Sequence, residues 1–66
     1  MTITINGEKT ERSASVSVRD LLKERCGNQF QGVAIAKNGA ILKREKWDTP
    51  LTDGDEIEII VASQGG

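Results

Sequence analysis

The groups with the most accessible chemistry stand at the end of the chain, which closes Val61-Ala62-Ser63-Gln64-Gly65-Gly66. Read as a free C-terminus, Gly66 offers an α-carboxylate, an acyl group that is inert until it is activated. Adenylation by ATP would make it a mixed anhydride, an electrophile for a sulfur or amine nucleophile. Glycine has no Cβ, so Gly65 and Gly66 can thread a channel that rejects larger residues. Ser63 to Gly66 span about 13 Å when fully extended, enough to leave a globule of ~11 Å radius of gyration and enter a partner's active site. The plain alternative is a frayed end, because loose termini are common.

The remaining side chains supply little catalytic equipment. Histidine is absent, which removes the usual zinc ligands, the commonest general base and any Ser-His or Cys-His pair. The single cysteine, Cys26, can form no internal disulfide and no iron–sulfur cluster. Asp53, Asp55, Glu56 and Glu58 form an acidic group, but alternating carboxylates on a strand are ordinarily a solvated face, and no metal site is expected. Nine basic and ten acidic residues are interspersed for a net charge of −1, so neither nucleic acid nor an anionic membrane is an expected partner. The only aromatics, Phe30 and Trp47, give no base-stacking platform. No apolar run approaches transmembrane length, and MTITINGEK has no signal-peptide pattern. The expected location is the cytoplasm.

The elements that must present the terminus can be read from periodicity. At 66 residues there is room for one domain, and such a chain buries only about 60% of its unfolded surface, so its fold must be regular. Ile3 and Ile5 alternate with Thr2 and Thr4, a half-buried strand. Asn6-Gly7 signals a hairpin, because both residues tolerate positive φ, and Lys9–Ser13 is the expected return strand. Ser17 and Asp20 form a capping box. Val18, Leu21, Leu22 and Cys26 then share one helix face, which places Cys26 in the core, and Gly27 is the C-terminal stop. Val33–Ala36 reads as a strand and Asn38-Gly39 as a second hairpin turn returning through Ile41-Leu42. Lys43–Trp47 reads as a turn or a 3₁₀ piece, and Asp53-Gly54-Asp55 as a tight turn. In the final strand, Glu56–Ala62, Ile57, Ile59 and Val61 are expected to face inward and Glu56, Glu58 and Ile60 outward.

The order β-β-α-β-β-β, with the first and last strands parallel neighbours at the centre, predicts an α+β β-grasp (ubiquitin-like) domain. Four to five strands in a mixed sheet wrap one helix. Residues 1–62 form the domain and 63–66 a flexible diglycine tail.

Within that frame the whole chain resembles the ThiS family, sulfur carriers of thiazole formation in thiamine biosynthesis. The likeness rests on Val33-Ala34-Ile35, the Asn38-Gly39 turn, Arg44 with Trp47 in an R-x-x-W pair, Asp53-Gly54-Asp55, the strand Glu56–Val61 and Gly65-Gly66. The R-x-x-W pair is its most specific part, since D-G-D and G-G recur across sulfur carriers. Ser63-Gln64 departs from the family's usual alanine-valine-glycine approach to the diglycine. The resemblance implies a non-enzyme, a protein substrate with no bound cofactor. An E1-like (ThiF-like) adenylating enzyme would use ATP and Mg²⁺ to form an acyl-adenylate at Gly66. A sulfur donor system would convert it to a thiocarboxylate, and thiazole synthase (ThiG-like) would accept the sulfur. Gly65, Gln64 and Ser63 would thread the tail into these enzymes, and the free carrier would be a monomer.

Three residues are candidates for docking. Ile60 is an aliphatic on an otherwise polar face, or else part of a small cluster under Phe30 or Leu51. Trp47 is a partner anchor, or else packs over the open end of the sheet. Arg44 accompanies it. Two other functions stay open: a related carrier that feeds molybdopterin synthase or a tRNA-thiolating enzyme, and a passive ubiquitin-like interaction module or protein modifier.

Overall fold

A computed structural model of the chain describes residues 1–13, 15–27 and 31–61, with Cys26 described by its backbone alone. Its elements are β1 (Thr2–Ile5), β2 (Glu8–Glu11), α1 (Val18–Cys26), β3 (Val33–Lys37), β4 (Ala40–Ile41), a 3₁₀ turn (Arg44–Lys46) and β5 (Glu56–Val61). Five strands form one mixed sheet in the order β2-β1-β5-β3-β4. The β1–β5 pair is parallel and the others are antiparallel. This is the expected β-grasp arrangement, with the first and last strands adjacent.

Burial of one sheet face drives the assembly. Ile3, Ile5, Ile35 and Ile57 meet Val18, Leu21 and Leu22 of α1, and Trp47 and Leu51 complete the buried cluster. Helix α1 starts where Ser17 Oγ accepts the Asp20 N–H and Asp20 in turn accepts the Ser17 N–H, a reciprocal cap. It ends at Gly27, whose φ of +62° suits glycine. The cap also lowers the Asp20 carboxyl from its ordinary value, chiefly through the Ser17 N–H.

The strand limits differ from the sequence expectation for local reasons. Asn6 (φ +51°) and Gly7 (φ +86°) form a two-residue turn that pairs Ile5 directly with Glu8. The return strand therefore begins at Glu8 rather than Lys9 and ends at Glu11. The same geometry at Asn38 and Gly39 pairs Lys37 with Ala40. It extends β3 to Lys37 and moves β4 back to Ala40–Ile41. The expectation that Val61 faces the core fails, because Val61 is 59% exposed. A nine-residue helix is about 13 Å long, while the six-residue β5 runs about 20 Å. The helix cannot cover the far end of the strand.

The Asp53-Gly54-Asp55 turn does more than reverse the chain. Asp53 Oδ1 accepts the Thr2 N–H at 2.7 Å and Thr2 O accepts the Gly54 N–H at 2.8 Å, which ties the turn to β1. Asp55 is 7% exposed, and its carboxylate accepts the Thr52 N–H and the Asn38 side-chain amide. Burial pushes its carboxyl upward, but the Thr52 and Asn38 hydrogen bonds and the nearby Lys37 charge outweigh it, and the net shift is downward. A lowered folded-state value means that Asp55 stabilises the fold above the unfolded carboxylate value of about 3.9. That contribution disappears as pH falls through the folded value. Asp55→Ala is expected to destabilise the domain by about 1–3 kcal/mol at neutral pH, since two donors lose their acceptor. It should also flatten the acid limb of the stability profile, and urea unfolding across a pH series checks both effects.

Candidate functional site

Strand β5 is the last described element before the C-terminus, so its outer face is the first surface to consider. Register decides what lies there. Glu56 stands opposite Thr4 of β1, Glu58 opposite Ala36 of β3, and Ile60 opposite Ala34. Ile41 of β4 stands opposite Ala36. The side of the sheet away from the helix thus carries an aliphatic run, Ile41-Ala36 and then Ala34-Ile60, bordered by Glu58. Ile41 is 70% exposed and Ile60 48%. Leu51, one of the residues that might have covered Ile60, is instead in the main core at 5% exposure. Phe30, the other, lies outside the described residues.

Ile41 was not singled out from the sequence. Its place was nonetheless readable. A two-residue turn at Asn38-Gly39 pairs residue 36 with residue 41, and an inward Ile35 turns both of them outward.

An open groove of about 360 Å³ crosses the same face over β5, bordered by Thr4, Gly7, Ala36, Gly39, Glu56 and Glu58. Its polar side chains are a hydroxyl and two exposed carboxylates, a solvated surface with no nucleophile–base pair. Asp53 and Asp55 are occupied by the hydrogen bonds given above, from Thr2 and from Thr52 and Asn38. Among the described residues, no three His, Cys, Asp or Glu side chains are grouped to hold a metal. No helix among them is long and apolar enough to cross a membrane. Ser63, Gln64, Gly65 and Gly66, with the boundary between domain and tail, lie outside the described residues.

The model of the ThiS family matches residues 3–66, nearly the full chain and through the diglycine. The chain belongs to the ThiS family. It is 35% identical over 65 residues to the sulfur carrier protein ThiS of Thermus thermophilus, covering 97% of this chain and 98% of that one. It is also 36% identical over 67 residues to a thiazole synthase of Paramagnetospirillum magneticum. There the match takes in all of this chain but spans only 20% of the synthase's length. A crystal structure of the thiamine biosynthesis protein ThiS from Geobacter metallireducens superposes with a TM-score of 0.78 at 32% identity, covering 100% of both chains. A solution structure of a thiamine biosynthesis protein from the same organism gives 0.77 at 33%, covering 100% of this chain and 88% of that one.

The R-x-x-W pair that carried the ThiS resemblance is now explained by packing. Trp47 is 2% exposed, and its indole N–H donates to Leu42 O at 3.1 Å. It is a member of the buried core cluster, not a surface anchor, and its docking role is corrected accordingly. Burying a large apolar ring outweighs presenting it to solvent, and the one polar atom is satisfied within the chain. Arg44 remains at the surface, with its guanidinium carbon 5.0 Å from the ring centroid. Arg19 of α1 lies at 5.9 Å and bonds Asp48 through Nε at 2.7 Å. The spacing between Arg44 and Trp47 therefore sets a cation over an aromatic ring, while Arg19, whose N–H also donates to Trp47 O, ties the segment to the helix.

Trp47→Ala is expected to cost about 3–5 kcal/mol, as large-to-small core changes do. Arg44→Ala should cost only about 0.5–1 kcal/mol, the range of an exposed cation–π contact. Chemical denaturation of the two variants checks the contrast.

Proposed function

We propose that this chain is a sulfur carrier of thiamine biosynthesis, with Gly66 as its working end. The carboxylate of Gly66 would attack the α-phosphorus of ATP on an E1-like enzyme and expel pyrophosphate, with Mg²⁺ neutralising the phosphates. A persulfide sulfur would displace AMP from the acyl-adenylate, and a thiol would then release the thiocarboxylate. Thiazole synthase would take the sulfur and return the carboxylate. The observation that carries this reading is the family match running through Gly66. The likeness of the whole chain to a segment of a thiazole synthase supports that acceptor.

The chain's own contribution is presentation. It is a substrate of its partner enzymes, and beyond the reacting carboxylate of Gly66 it brings no catalytic side chain to the chemistry. The aliphatic run of Ile41, Ala36, Ala34 and Ile60 lies on the sheet face away from the helix, and Ile60 is one residue from the end of β5. Burying it against the adenylating enzyme would hold the terminus at the nucleotide. Arg44, exposed beside the Trp47 ring, is the second docking residue in this reading.

Incubation with ATP, Mg²⁺, a sulfur donor and the cognate adenylating enzyme is expected to raise the intact mass by the exchange of one oxygen for sulfur. A variant lacking Gly66 should show no gain. An unchanged wild-type mass with an active enzyme would sink the carrier function. Ile60→Asp is expected to keep the melting temperature within a few degrees, because the side chain is half exposed. It should raise the KM for the adenylating enzyme about tenfold or more, the effect of burying one unpaired charge in an apolar contact. Steady-state pyrophosphate release measures it, and an unchanged KM would remove Ile60 from the interface.

A further inference from the structure

The ladder between β1 and β5 ends early. Only Thr4↔Glu56 and Ile5↔Ile57 are paired, and the chain of β1 then enters the Asn6-Gly7 turn. The Thr4 N–H donates to Asp55 O at 3.0 Å and the Asn6 N–H to Ile57 O at 2.9 Å. In an evenly spaced parallel ladder the next bond would run from the Ile59 N–H to the main-chain carbonyl of residue 6. That carbonyl belongs to the turn. The side-chain Oδ1 of Asn6 takes its place and accepts the Ile59 N–H at 2.8 Å.

We propose that Asn6 is a positioning residue for the C-terminal segment. Its amide oxygen extends the β1 ladder one step beyond the strand and sets the direction in which β5 leaves the sheet. This role rests on the carrier function proposed above. Past Ile57, β5 is paired along one edge by β3, through Ile59 and on to Val61. On the other edge the Asn6 side chain bonds the Ile59 N–H, one step past the last β1–β5 pair. A strand end held along a single edge twists and opens more freely than one held along both. Asn6 thus restrains the residues just before Ile60 and the departing chain. The turn alone does not account for this asparagine. Glycine or aspartate would also adopt a φ of +51° there, and the turn requires no bond to a residue far along the chain.

Two variants separate the roles. Asn6→Gly keeps the turn and removes the acceptor, whereas Asn6→Asp keeps both. Amide hydrogen exchange at Ile59, with Ile35 as internal reference, reads the anchor. Thiocarboxylation with the cognate adenylating enzyme, well below either protein's melting transition, reads the function. Asn6→Gly is expected to speed Ile59 exchange about fivefold, the worth of one net hydrogen bond, while Ile35 is unchanged. Its kcat should fall by a similar factor, because only the aligned fraction of docked carriers presents its terminus. Its KM should hold, and Asn6→Asp should restore both readouts. Unaltered Ile59 exchange in Asn6→Gly would overturn the anchor. Faster exchange with an unmoved kcat would reduce Asn6 to a structural residue and overturn the positioning role. A wild-type chain that gains no sulfur would instead overturn the carrier function and this role with it, a result separable from the exchange readout.

Discussion

The structure depends on holding one strand, β5, along both of its edges although neither neighbour is long enough to do so with its backbone alone. β1 pairs with Glu56 and Ile57, β3 with Ile57 to Val61, and both neighbours turn away through Asn-Gly sequences. Each asparagine side chain completes the ladder its backbone abandons. Asn6 Oδ1 accepts the Ile59 N–H, and Asn38 Oδ1 accepts the Glu56 N–H at 2.8 Å while Asn38 Nδ2 reaches Asp55. An unpaired strand N–H in the middle of a sheet would cost free energy comparable to a lost hydrogen bond. The short amide side chain meets that demand at the two positions where the chain must also take positive φ.

This economy fits the size of the domain. With one helix, only one face of the sheet can be buried, and the buried set is small: four isoleucines, three residues of α1, Trp47 and Leu51. Satellite ties therefore carry much of the closure. The Asp53-Gly54-Asp55 turn is bonded to β1 from both sides, the 3₁₀ turn is fixed through Trp47, and the Leu51 N–H reaches back to Val16 O at 2.8 Å. The opposite face of the sheet is left uncovered. Its aliphatic run lies beside exposed carboxylates, which keeps the apolar area narrow.

A division of labour follows. The chain has no histidine, and no three His, Cys, Asp or Glu side chains cluster among its described residues. In the proposed cycle it supplies a rigid body that a partner can recognise and a terminus that the partner can modify. The two demands are met by opposite halves of β5: the first half is locked into the core through Ile57, and the second half, past the reach of the helix, is exposed at Ile60 and Val61.

The amino-acid sequence by itself determined the element order, the helix with its Ser17–Asp20 cap, both hairpin turns, the core residues Ile3, Ile5, Val18, Leu21, Leu22 and Ile57, and the family. These signals are local: a period of two or nearly four residues, a cap, a turn dipeptide, a motif. Only the tertiary structure decided the rest. Trp47 is core because its ring joins the buried cluster while its N–H reaches Leu42 O, a fact that depends on where Leu42 and the helix lie. Val61 is exposed because a helix of nine residues is shorter than the strand it covers. Ile41 joins Ile60 on one face only once the register of three strands is set. Asn6 and Asn38 read locally as turn residues, and their second task, bonding β5, is set by contacts that lie far apart in the chain. A local pattern states what a residue can do with its neighbours in sequence. Its partners in space exist only after the sheet has closed.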